Sequence, residues 1–103
     1  MSRLSEIEVE VLLKAADPPE GETGWKPGAL QIAVLFDRHD LPEWMRLACE
    51  ANWEPPHNWY KGEREEIGGA FRRLNDWGIL GVDSYWRIRC NLNPLQLLAL
   101  VSE

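Results

Sequence analysis

Apolar residues along this chain recur mostly at helical spacing and, in one stretch near the C-terminal end, in alternation. Residues 3–16 place Leu4, Ile7, Val11 and Leu12 on one helical face. Ser5 followed by Glu8 has the spacing of a capping box, which predicts a first helix opening there. Ile7, Val9 and Val11 also alternate as in a strand, and the pattern alone leaves that second reading open. Asp17-Pro18-Pro19 ends the segment, because proline cannot continue a helix and restricts the residue before it. A loop rich in Pro and Gly follows over 17–28, with Trp25 as its one large apolar residue.

A second helix is expected from about Ala29 to Arg38, although the run LQIAVLF also fits a buried strand. Asp40 suits an N-cap and Pro42 a first helical turn, so a third helix is expected to run to about Ala51. Its apolar stripe would be Trp44, Met45, Ala48 and Cys49. Residues 52–63 form a long loop holding Trp53, Trp59, Tyr60 and the stiff pair Pro55-Pro56. The clearest helix covers 63–77, with Ile67, Ala70, Phe71, Leu74 and Trp77 on one face. Glutamates crowd its first turns, where the helix dipole favours acid, and Gly78 is placed to end it in a left-handed cap. Ile79, Leu80 and Val82 then read as one short strand. In the other, Tyr85, Arg87 and Arg89 alternate with Trp86, Ile88 and Cys90, around a tight turn at Asp83-Ser84. Asn93-Pro94 opens a last helix whose leucines call for burial.

The segment FRRLNDWGILGVDSYWRI, following those helices, resembles the recognition helix and wing of winged helix-turn-helix domains. There a helix ends in a Leu, a few polar residues, a Gly and two apolar residues. Here these are Leu74, Asn75-Asp76-Trp77, Gly78 and Ile79-Leu80. The likeness covers roughly 29–92 and is sharpest over 63–90. The expected fold is therefore one domain over 1–103, mainly α with a small β-hairpin, of the winged helix-turn-helix kind. The resemblance implies a DNA-binding regulator, with the helix in the major groove of double-stranded DNA and the wing near a phosphate backbone. Carried over by position, Arg64, Arg72 and Arg73 on the helix and Arg87 and Arg89 on the wing are the candidate DNA contacts.

The chain departs from that pattern in two ways. Gly68 and Gly69 stand where base-reading side chains are expected, and Glu63, Glu65 and Glu66 would face phosphates at the helix's leading end. A Gly-Gly step instead lets a second backbone approach, from a protein partner, a second copy or a neighbouring helix of this domain.

Charge bears on the same question. The net charge is −6, and residues 1–60 carry all of that excess, with five Lys/Arg against eleven Asp/Glu. An acidic chain is a poor non-specific binder of nucleic acid. The alternative expectation is an acidic protein-interaction module, or a small viral-type inhibitor that docks on a protein partner. Trp53, Trp59 and Tyr60 are its candidate anchors, since aromatic residues on a fixed loop are favoured at interfaces. Trp44, Trp77 and Trp86 fall on expected core faces. A homodimer would help the DNA reading, whose electrostatic field is otherwise unfavourable.

Catalysis is not expected. The two histidines, His39 and His57, fit no HExxH, and the chain holds no CxxC, phosphate loop or GxSxG. Cys49 and His57 lie eight residues apart with nothing to orient them. No metal site and no cofactor are expected. Glutamates interrupt what would be a signal peptide's apolar stretch, and no apolar run is long enough to span a membrane. The expectation is a cytoplasmic protein whose Cys49 and Cys90 are free thiols.

Overall fold

The computed structural model describes residues 4–50 and 57–102, the side chains at 46 and 48–50 excepted. The order of elements is α1 (Glu6–Ala15), α2 (Pro27–Arg38), α3 (Glu43–Glu50), α4 (Lys61–Asp76), β1 (Leu80–Val82), β2 (Ile88–Cys90) and α5 (Pro94–Val101). The fold is mainly helical with a small antiparallel hairpin.

Local chemistry sets the helix ends. Ser5 caps α1: its hydroxyl accepts from the Glu8 backbone N–H, and the Glu8 carboxylate accepts from the Ser5 N–H at 2.8 Å. The strand alternative for this segment therefore fails, because the cap fixes the helix from its first turn. Pro27 stands in the first turn of α2, which starts two residues earlier than its apolar pattern suggests. The chain enters α3 later than expected, at Glu43, so Asp40 lies ahead of the cap and Pro42 just outside the helix. Asn93 and Gln96 form a second capping box at α5, with Pro94 in its first turn.

α4 stops as its sequence demands. Gly78 has φ +76°, the Ile79 N–H donates to the Leu74 carbonyl, and the Gly78 N–H donates to that of Asn75. This is the double hydrogen bond of a Schellman cap, and it needs a residue that tolerates left-handed backbone. The reversal sends the chain straight into β1.

Val11, Leu12 and Ala15 of α1, Leu30, Val34 and Leu35 of α2, and Ile67, Ala70 and Leu74 of α4 make one buried cluster. Leu80 and Ile88 join it from the two strands, so the hairpin seals the core rather than standing free. α3 packs on α2. The strands pair in the register Leu80↔Cys90, Gly81↔Arg89 and Val82↔Ile88. A third segment also joins this ribbon. Trp25 and Ile88 exchange both backbone hydrogen bonds, at 3.0 and 2.7 Å, which adds a one-residue bridge on the far side of β2. The Trp25 indole N–H reaches the Lys14 carbonyl at 2.7 Å. One loop tryptophan thus ties the end of α1 to the hairpin, a long-range role that its local sequence does not announce.

Three expectations about tryptophans and one about leucines are corrected. Trp77 is the C-cap of α4, one position past its last helical residue, and is exposed. Trp44 is exposed on α3. Trp86 does not cover the hairpin, because it lies outside β2, in the loop that joins the strands. On α5, Leu97, Leu100 and Val101 are partly buried against the core, but Leu95 and Leu98 are exposed by 79% and 61%.

Candidate nucleic-acid interface

The sequence singles out five arginines, and their surroundings divide them. Arg64 is turned back on its own chain: its Nε donates to the Trp59 carbonyl at 2.6 Å and a terminal nitrogen to that of His57 at 2.8 Å. Arg73 hydrogen-bonds the buried Glu8 carboxylate, across 65 positions of sequence. Arg87 pairs with Glu22 at 3.3 Å. Arg72 on α4 and Arg89 on β2 are exposed, and neither forms an ion pair with another described residue. The two that remain able to meet a phosphate therefore come one from the helix and one from the hairpin.

The glycines of α4 are placed by the fold. A Cβ on Gly68 would come within 3.3 Å of the Gln31 side chain of α2, and one on Gly69 within 3.4 Å of the Arg73 guanidinium. Gly68 therefore faces α2 inside the domain, and neither glycine offers a base-reading group. Of the leading glutamates, Glu63 is occupied by His39 at 2.9 Å and Arg38 at 3.7 Å, while Glu65 and Glu66 are exposed. The outer surface of α4 carries both signs of charge and no uninterrupted positive stripe.

The loop before α4 is tied down where it is described. Trp59 is partly buried against the core and meets Tyr60 edge-on at 4.8 Å between ring centres. Tyr60 is left-handed at φ +46° and lies 5.0 Å from the His39 ring. Trp59 is thus more a packing residue than an open anchor, and Tyr60 is the more exposed of the pair. Trp53 and the Cys49 side chain lie outside the described residues.

The hairpin loop is the feature that sequence reading missed. Five residues join β1 to β2, with Asp83 and Arg87 facing each other across a three-residue tip of Ser84, Tyr85 and Trp86. The Asp83 N–H donates to the Arg87 carbonyl, and the Trp86 N–H to the Asp83 carbonyl, both at 3.0 Å. The Asp83 carboxylate accepts the N–H of Tyr85 at 2.8 Å and of Arg87 at 3.0 Å. The Arg87 backbone bond is the main influence on this carboxyl and, with that of Tyr85, holds its pKa below the usual aspartate value. Trp86 takes the left-handed position, φ +61°, which in three-residue hairpin loops is ordinarily glycine's. Tyr85 and Trp86 are each 79% exposed. The alternation of apolar residues over 85–90 hides this, because loop length is set by backbone sign and not by hydropathy.

A groove of about 730 Å³ lies between the 17–26 loop and α2, floored by Trp25, Ile32 and Phe36. Two ion pairs lie on its rim, Lys14 with Asp37 at 2.9 Å and Arg87 with Glu22 at 3.3 Å. No cluster of potential metal ligands occurs among the described residues, and no helix there is long and apolar enough to cross a membrane. Comparison with protein-family models, with characterised proteins and with solved structures gives no significant match for this chain.

Proposed function

We propose that the chain is a winged-helix DNA-binding regulator in which α4 is the recognition helix and the β1–β2 hairpin the wing. The observation that carries this reading is the order of parts: α1, a one-residue bridge at Trp25, α2 and α3, then α4 turning at Gly78 into a hairpin sealed on the same core. Arg72 and Arg89 supply the phosphate contacts, one from each part of the interface. Arg64, Arg73 and Arg87 serve the scaffold, so fewer arginines face DNA than position alone implies.

The test is duplex binding by fluorescence anisotropy across a salt series. Arg72→Ala with Arg89→Ala should weaken binding at least about tenfold and flatten the logarithmic salt dependence by about two, near 0.9 for each phosphate left without its arginine. Unchanged affinity and slope would reject this interface.

A small acidic domain gains from binding as a pair on two half-sites. α5 offers a surface for a second copy, because its residues 94–101 carry no charge and expose Leu95 and Leu98. Leu98→Glu should then shift sedimentation towards the monomer without unfolding the chain, and an unchanged sedimentation profile would remove α5 from the interface.

The second reading is a protein-interaction module. It is favoured by the net charge of −6 and by the internal engagement of three of the five arginines. It is the reading to adopt if the wild-type chain fails to bind any duplex at ~50 mM salt, where phosphate contacts are strong.

A further inference from the structure

We propose that the hairpin tip, Tyr85 with Trp86, is a stacking platform for unpaired nucleobases, so that the protein prefers DNA with a single-stranded segment over blunt duplex. This deepens the DNA-binding reading and rests on it.

The tip is costly to build and packs on nothing that repays the cost. A bulky residue at positive φ is a genuine outlier, and such strain persists where the surrounding structure imposes it. Here the imposition is visible: four hydrogen bonds centred on Asp83 hold the loop closed. Glycine would satisfy the same backbone without strain. The tryptophan instead presents its ring to solvent, beside an equally exposed tyrosine.

The neighbouring charges indicate what covers the rings. The Asp83 carboxylate is spent on two backbone N–H groups, and Arg89 on β2 is exposed without an ion pair among the described residues. Flat aromatic faces at the tip of a ribbon that also carries the exposed Arg89 match a base stacked on a ring with its phosphate on a cation, the chemistry of single-strand binders. Two adjacent aromatic residues on a stiff turn suit successive bases. Stacking also gives a net-acidic chain affinity that does not depend on overall charge.

The experiment uses the full chain and three labelled probes: a blunt mixed-sequence duplex, the same duplex with a single-stranded overhang, and the single strand alone. Wild type should bind the overhang at least about tenfold more tightly than the blunt duplex, the size expected for loss of one stacked base. Trp86→Ala and Tyr85→Ala should each erase that preference and leave blunt-duplex affinity within about twofold, while Trp86→Phe should keep most of it. Trp86→Gly separates stacking from folding. Glycine suits the left-handed position, so this variant should melt a few degrees higher, about 2–6 °C, and still lose the preference.

Equal binding of all three probes by wild type, or a preference that survives Trp86→Gly, overturns the proposal and leaves the duplex reading intact. Single-strand binding that depends on Trp86, with no duplex binding at all, supports the platform and sinks the recognition-helix reading. Capture of a protein that depends on Trp86, with no response to any oligonucleotide, overturns both.

Discussion

Arg73→Met should destabilise the domain by about 2–3 kcal/mol, lowering the melting temperature by roughly 10–20 °C. Glu8 is only 5% exposed, on the face of α1 that meets α4, and Arg73 gives it its one ion pair among the described residues. Removing the guanidinium strands a buried carboxylate. The expected loss falls below the 3–5 kcal/mol of a fully buried pair, because half of the Arg73 side chain stands in water. Replacing both residues, as Glu8→Leu with Arg73→Met, should recover most of it, since an apolar pair has no charge to desolvate. The residual deficit would be about 1 kcal/mol, for the capping-box bond that Glu8 makes to the Ser5 N–H.

The same pair sets an acid limit. Burial raises the Glu8 pKa, but the hydrogen bond from Arg73, those of Ser5 and the charge of Arg73 prevail, and the net direction is down. A carboxyl with a depressed folded pKa contributes stability that is complete above the unfolded glutamate value of about 4.3 and is lost as pH falls through the folded one. Acid denaturation followed by circular dichroism should therefore begin below that value in the wild type and at higher pH in Arg73→Met. Coincident acid transitions would show that the pair contributes nothing to folding.

The second large effect is expected at a residue with no chemistry. Gly24→Ala should cost about 1–3 kcal/mol, at the upper end of that range for overpacking. A Cβ at this buried position would lie 2.5 Å from the Ile88 carbonyl oxygen and 3.0 Å from both the Arg87 Cβ and the Arg89 Cγ. The nearest of these atoms is backbone and cannot swing aside, because the Ile88 carbonyl already accepts the Trp25 N–H. The alanine must therefore push the 17–26 loop off the hairpin. Amide exchange of Trp25 and Ile88 should accelerate selectively, and protection equal to wild type at both would refute the clash. If the hairpin is also the wing, duplex affinity should fall in the same variant.

Much of the fold was legible because its signals are local. The Ser5–Glu8 box, the proline start of α5 and the Gly78 reversal each involve partners no more than five residues apart, and the structure has them all. The apolar faces of α1 and α4 were largely legible for the same reason, since helical periodicity is itself a local property. The sign and size of the net charge, and the absence of recognisable catalytic motifs, also come from the residues alone.

Which arginines remain available was not legible, because an arginine's partner is fixed by the packing of helices far apart in sequence. Glu8 and Arg73 meet only once α1 lies on α4, and Arg87 meets Glu22 only once Trp25 bridges β2. The same holds for Trp86, which hydropathy assigns to a core face and which a three-residue loop turns out into water. Short-range rules set where elements begin and end. Tertiary packing decided which charges are spent on the scaffold and which side chains remain exposed, because burial and ion pairing are properties of neighbours in space.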